Sequence, residues 1–75
     1  MTHDLVVPRA AASLGVDQTD IRAVVHKNRI ELMIPDQPIS VAQLQSLAAS
    51  FKVETRMIAF LRGPLVKITI PGNFL

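Results

Sequence analysis

Six polar side chains within residues 18–29 carry groups that can hydrogen-bond to nucleic-acid bases and phosphates. Glutamine and arginine can each form paired hydrogen bonds to a base edge, threonine can contact a base or a phosphate, and lysine and arginine can hold phosphates. In a helix, the first four would share one outward face, and the last two would follow its end. These candidate DNA-binding residues are Gln18, Thr19, Arg22, His26, Lys27 and Arg29.

The segment that must position them, AAASLGVDQTDIRAVVHKNRI at residues 10–30, has the pattern of a helix-turn-helix. Ala11 is small enough for two helices to cross closely, Gly15 permits the positive φ of the turn, and Asp17 can cap a second helix that ends near His26. The apolar residues that would lock the second helix onto the first are Leu14, Val16, Ile21 and Val24.

A second interpretation of residues 21–34 stays open beside the helix followed by a strand. Ile21, Ala23 and Val25 alternate with more polar positions, as in a β-strand with one buried face. On this interpretation the segment is a β-hairpin that turns at His26 to Asn28. The capping position of Asp17 and the similarity of the second half of the chain favour the helix.

The rest of the chain predicts short elements separated by clear breaks. Leu5-Val6-Val7 has the composition of a strand, and Pro8 suits the first turn of the helix that follows. RIELMIP and LVKITIP alternate as strands do. After the break at residues 35–38, the predicted elements are a helix capped by Ser40 that runs to Phe51 and a short helix from Glu54 to Leu61.

These elements predict a single small domain, residues 1–75, that is mostly α with short β-strands, in the α+β class. Its two halves are similar when Leu14-Gly15-Val16 is placed over Phe51-Lys52-Val53. We therefore expect an internal repeat of residues 5–35 and 39–71, each half reading α, turn, α, β.

Composition limits the class of protein further. Hydrophobic residues make up 49% of the chain and charged residues only 19%, so we expect a second subunit to cover part of the apolar surface. There is no cysteine for a disulfide or a thiolate metal site. No apolar run is long enough to cross a bilayer, and no signal sequence opens the chain, which predicts a cytoplasmic homodimer without membrane contact.

Catalytic signatures are missing from the sequence. It has no glycine-rich phosphate loop, no HExxH motif and no nucleophile beside a base. We expect no enzyme activity, no cofactor, no metal and no small-molecule substrate.

The segment AASLGVDQTDIRAVVHKNRIELMI resembles the core of the phage Cro repressors, and LVVPRAAASLGVDQTDIRAVVHKNRI is more loosely similar to the helix-turn-helix of excisionase and MerR-like regulators. This resemblance implies that Gln18, Thr19 and Arg22 contact bases and that His26, Lys27 and Arg29 lie near phosphates. The Cro pattern has a helix before the motif, which this chain lacks between Met1 and Pro8.

Two weaker resemblances point elsewhere. ISVAQLQSLAASFKVETRMIAFLRGPLVKITI resembles the N-terminal module of bacterial translation initiation factor two, which implies a ribosome or RNA partner. DLVVPRAAASLGVDQTDIRAVVHKNRIEL resembles the swapped hairpins of the AbrB and MazE family.

Together these patterns predict a phage-like, sequence-specific DNA-binding repressor or other transcription regulator that binds double-stranded DNA as a homodimer. The alternative is a protein-interaction or assembly module, or a ribosome-binding or RNA-binding one, in which the helical hairpin only packs.

Overall fold

A four-stranded antiparallel sheet and two helices form two layers in a computed structural model that describes residues 3–72. The helices are α1 (His3–Leu14) and α2 (Val41–Phe51). The strands are β1 (Arg22–Val25), β2 (Arg29–Pro35), β3 (Ala59–Leu61) and β4 (Leu65–Pro71), in the sheet order β1-β2-β4-β3. Single 3-10 turns, Gln18–Asp20 and Thr55–Met57, precede β1 and β3.

The helix α2 begins and ends through local interactions of its own sequence. The Ser40 hydroxyl accepts a hydrogen bond from the Gln43 N–H, and the Gln43 side chain accepts one from the Ser40 N–H. This capping box pairs two backbone donors that the first turn cannot pair internally. The helix ends where Lys52 takes the left-handed conformation and donates its N–H to Ala48 and Ala49.

The core lies between the helices and one face of the two central strands. Every second residue of β2 and β4 is fully or almost fully buried, because alternate side chains of a strand point to opposite faces. Across the layer, Leu14 of α1 and Leu47 of α2 are also buried. The strand residues of this core are Ile30, Leu32, Ile34, Val66, Ile68 and Ile70.

The same order of elements, helix, 3-10 turn, strand and strand, occurs twice along the chain. The second strands of the two halves, β2 and β4, pair antiparallel with Leu32 opposite Ile68. In the helix layer, the hydroxyls of Ser13 and Ser50 hydrogen-bond to each other. Equivalent elements therefore meet around an approximate twofold axis that passes between Leu32 and Ile68.

The predicted α+β character is confirmed, but the chain has fewer helices and more strands than predicted. Two of the predicted helices, one near residues 17–26 and one near residues 54–61, are each a 3-10 turn followed by an edge strand. Asp17 does cap, since its carboxylate accepts a hydrogen bond from the Thr19 N–H. The helical turn stops after three residues because Ala23 and Val25 then alternate onto the core, and β1 pairs with β2.

Residues 21–34 therefore form a β-hairpin, and not a helix followed by a strand. His26 donates its N–H to the Arg29 carbonyl at the turn, and Val25 lies opposite Ile30. Val24, predicted to lock two helices together, instead lies on the outer face of the sheet with 42% of its surface exposed. No second helix follows Gly15 before α2 in the described part of the chain.

The start of the chain also differs from the prediction. Leu5-Val6-Val7 is helical, and Pro8 lies inside α1 instead of at its first position. Val6 is fully buried against the core, so tertiary packing outweighs the local preference of these residues for a strand. Neither described helix is long and apolar enough to cross a membrane.

Candidate nucleic-acid interface

One face of the sheet is packed against the helices, and the other, here called the open face, is not covered by any described element. Its side chains alternate with the buried core residues along each strand. The open face consists of Arg22, Val24, Arg29, Glu31, Met33, Ala59, Leu61, Leu65, Lys67 and Thr69.

Three of the six sequence-predicted residues lie at this face, at its two ends. Arg22 and Arg29 belong to the strands β1 and β2, and His26 follows β1 with its Nε2 3.4 Å from the Glu31 carboxylate. Lys27 is exposed at the tip of the hairpin that joins the two strands.

The other two predicted residues lie beyond the opposite end of β1. Gln18 and Thr19 form part of the 3-10 turn and are exposed. The Thr19 hydroxyl donates to the Asp17 carboxylate at 2.9 Å, so its hydrogen is engaged locally. The hydrogen bonds from the Thr19 N–H and hydroxyl outweigh a small desolvation effect and lower the pKa of Asp17. A helical face that joins Gln18 to His26 therefore does not form.

Glu31 occupies the centre of the open face and contacts three basic side chains. Its carboxylate lies 3.2 Å from Arg29 Nε, 3.3 Å from Lys67 Nζ and 3.4 Å from His26 Nε2. The Glu31 side chain is only 17% exposed, whereas those of Arg29 and Lys67 are 42% and 43% exposed. Arg29 and Lys67 are therefore each held by an ion pair with Glu31, and each still exposes a large part of its side chain to solvent.

The surroundings of Glu31 favour its ionised form. Burial raises the pKa of the carboxyl, but hydrogen bonds from Arg29 and Lys67 and the positive charges of Lys67 and His26 outweigh that effect. The net result is a pKa below the ordinary value of 4.5. At neutral pH this carboxylate is a fixed negative charge that holds the surrounding cations in place.

Arg22 stands apart from this cluster at the other end of the open face. It is exposed and borders an open groove of about 490 Å³. The groove is mainly apolar on the strand side and polar on the side of the 3-10 turn. Its other lining residues are Thr19, Asp20, Met33, Ile34, Pro35 and Leu65.

Charge is distributed very unevenly between the two layers. From Leu5 to Leu14 and throughout α2, the only charged side chain is Arg9, whose guanidinium donates to the Ser50 carbonyl at the end of α2. Surface helices usually carry charged residues on their outer face. Here most charged residues of both signs, including six of the eight lysines and arginines, lie on the sheet and its loops instead.

The sequence interpretation did not place Lys67 and Glu31 in the site. Their role depends on the pairing of β2 with β4, where Met33 lies opposite Lys67 and Glu31 opposite Thr69. An antiparallel alignment of RIELMIP with LVKITIP, with Leu32 opposite Ile68, would have predicted from the sequence that Lys67 and Glu31 lie close together. Within the described residues, no group of three histidine, aspartate or glutamate side chains could hold a metal ion.

Comparison with protein-family models, with curated proteins and with solved structures finds no match to this chain.

Proposed function

We propose that this chain binds double-stranded DNA through the open face of its sheet, with the tip of the β1–β2 hairpin at one end of the contact. The observation that carries the proposal is the presence of Arg22, Arg29 and Lys67 on one uncovered face, with Lys27 at the hairpin tip. These residues come from both halves of the chain, and Glu31 is the one carboxylate among the residues of the open face. A polyanion matches this local excess of positive charge.

The mode of binding differs from the one that the helix-turn-helix pattern implies. Several regulators present strands to DNA. Because β2 is paired on both sides, the face of this sheet, and not a free two-stranded ribbon, would meet the duplex. In the proposed mode, Arg22 is the candidate for a paired hydrogen bond to a base edge, because its guanidinium is exposed and forms no ion pair with the residues that the structure describes. Lys27, Arg29 and Lys67 contact phosphates. Sequence-specific binding of this kind would make the protein a transcriptional regulator.

The proposal is tested by titrating a fluorescent DNA duplex with the protein at several salt concentrations and measuring anisotropy. Each phosphate contact releases about 0.9 of a counterion, so four cations partly offset by Glu31 give an expected slope of log Kd against log salt of about 2 to 4. The double variant Lys27→Ala, Arg29→Ala should lower this slope by about 2. Lys52→Ala, which removes a cation from the helix layer, should leave the slope nearly unchanged. Absence of binding at low salt would contradict the proposal.

A second candidate function is a protein-interaction module, and the exposed apolar residues near β3 favour it. Met57, Leu61 and Leu65 expose 54%, 63% and 49% of their surfaces, and Leu61 and Leu65 both lie on the open face. Apolar association strengthens in structure-making salts such as sulfate, whereas phosphate contacts weaken with salt. The same titration series therefore separates the two functions.

A further inference from the structure

The strand β1 is an edge strand, and none of the residues from 3 to 72 pairs with the backbone groups on its outer side. On its inner side it pairs with β2, and the hydrogen bond from the His26 N–H to the Arg29 carbonyl fixes which residue pairs are bonded. In an antiparallel ladder bonded pairs alternate with non-bonded ones, so Arg22 and Val24 also direct their N–H and C=O groups toward β2. The N–H and C=O groups of Ala23 and Val25 therefore point outward.

We propose that a second copy of this chain pairs with β1 antiparallel, with Ala23 opposite Val25 of the partner subunit and Val24 on the twofold axis. In this register the N–H and C=O groups of Ala23 bond to those of Val25 of the partner subunit. The twofold axis repeats this pair on its other side, so every outward backbone group of β1 is bonded in both copies. A register centred on Ala23 or on Val25 instead pairs one of these residues with position 21 or 27. The Ile21 N–H already donates to the Gln18 carbonyl, and Lys27 lies in the turn.

The side chains along β1 fit this contact. Val24 lies on the open face and is 42% exposed, so two copies of it would meet at the axis as a non-bonded pair, the closer of the two pair types. In this register Arg22 would lie opposite His26 of the partner subunit. The four residues of β1 include no carboxylate, so the contact brings no two carboxylates together. The edge has no proline inside the strand, the usual block to strand addition.

The other edge of the sheet is a poorer place for such a contact. The strand β3 has three residues, Ala59 to Leu61, against four in β1. Ala59 and Leu61 correspond to Arg22 and Val24 in the first half of the chain, so their backbone N–H and C=O groups point toward β4. Within β3, only Phe60 then has backbone groups that point outward. An edge with one outward residue offers half the hydrogen bonds of an edge with two.

Pairing through β1 would create one continuous eight-stranded sheet with both open faces on the same side. The two hairpins would then lie next to each other at its centre, and the exposed cations of both copies would form a single surface. The contact between two four-residue strands is much smaller than a standard interface of about 800 Å² per partner. The expected dimer is therefore weak and depends on protein concentration.

Amide hydrogen exchange by NMR at low and high protein concentration, without DNA, tests the pairing directly. We expect the Ala23 and Val25 amides to exchange about threefold more slowly at about 1 mM than at about 20 μM, since the higher concentration populates a weak dimer. The Phe60 amide should exchange at the same rate at both concentrations. Concentration-independent exchange at Ala23 and Val25 would overturn the proposal, and so would protection that appears on α2 instead.

A pair of charge variants gives a second test by sedimentation equilibrium. Val24→Lys brings two ammonium groups together at the axis and should weaken dimerisation by up to about fivefold. The introduced ammonium lies opposite Glu31 of its own chain, so the fold should tolerate it. Leu61→Lys, at the exposed position of β3, is the matched control and should leave the dimer intact. Dissociation by Leu61→Lys with a normal dimer for Val24→Lys would overturn the pairing. These measurements contain no DNA, so they can fail while DNA binding succeeds, and the reverse.

Discussion

Gly15 and Lys52 both adopt the left-handed backbone conformation at equivalent positions, directly after the last residues of α1 and α2, with φ values of 71° and 57°. Glycine adopts this conformation without steric cost, whereas a residue with a Cβ atom is strained in it. Lys52 is the one residue other than glycine with a positive φ among the described residues. The second half of the chain therefore carries backbone strain that the first half avoids.

Lys52→Gly should relieve this strain and raise the free energy of unfolding by about 1 kcal/mol. Urea denaturation followed by circular dichroism measures the change. The matched variant Gly15→Ala should lower the free energy of unfolding by about 1 kcal/mol. No atom lies within 4 Å of the added methyl group, so a loss there reports backbone strain and not a clash. Destabilisation by Lys52→Gly would contradict this account.

Ser40→Ala should remove the cap of α2 and cost about 1 kcal/mol of stability. Ser40 and Gln43 pair two backbone donors, and the Gln43 side chain also donates to the Leu14 carbonyl at 2.7 Å. The capping box thus connects the beginning of α2 to the end of α1. Thermal and urea unfolding of the variant measure the loss.

Ser46→Ala is the control for the capping variant, because Ser46 is exposed on α2 away from its first turn. Alanine has the higher helix propensity, so this change should be neutral or slightly stabilising. Equal losses at both serines would mean that the cap contributes nothing specific.

The elements that the sequence predicted correctly have strong local patterns. The helix from Ser40 to Phe51 combines a capping serine with apolar residues at helical spacing, and α2 occupies this range. The strands RIELMIP and LVKITIP alternate over seven residues each and have the predicted bounds. In these segments, local preference and burial favour the same element.

The edge strands β1 and β3 could not be predicted with the same certainty from local pattern. Asp17 caps a 3-10 turn by the same hydrogen bond with which it would cap an α-helix. The four residues of β1 satisfy both a helical and an alternating pattern, and pairing with β2 decides between them. The candidate site was incomplete for the same reason, because only the pairing of β2 with β4 brings Lys67 next to Glu31.

Arg22→Ala should distinguish base recognition from phosphate contact. If Arg22 forms a paired hydrogen bond with a base, its loss should weaken binding to the preferred duplex by about 1–3 kcal/mol and change binding to other sequences little. Anisotropy titrations with a selected duplex and a scrambled one measure this difference. Arg62→Ala removes the same charge from a surface where Arg62 pairs with Asp36, and it should affect both duplexes slightly. Equal losses on both duplexes for Arg22→Ala would make Arg22 a phosphate contact.

Glu31→Gln should make the stability of the protein less dependent on acid pH. The folded state lowers the pKa of Glu31, so its ionised form stabilises the fold above the ordinary pKa of 4.5. That contribution is lost as the pH falls through the lower, folded-state pKa. The wild type should therefore lose more stability than Glu31→Gln when the pH is lowered from about 6 to about 3. Parallel urea denaturation curves at several pH values measure the difference, and identical pH dependence in the two proteins would contradict it.

The same variant should bind DNA more tightly than the wild type. The Glu31 carboxylate contacts Arg29 and Lys67, so it competes with any phosphate that approaches those two cations. Removing its charge frees both side chains, and the slope of log Kd against log salt should rise by about 1 to 2. Glu54→Gln is the matched control, because it removes one carboxylate that pairs with Arg56 outside the open face. If both variants raise the affinity equally, the effect comes from net charge alone. If Glu31→Gln raises the affinity more than Glu54→Gln does, DNA contacts Arg29 and Lys67, because only the change at Glu31 frees these two side chains.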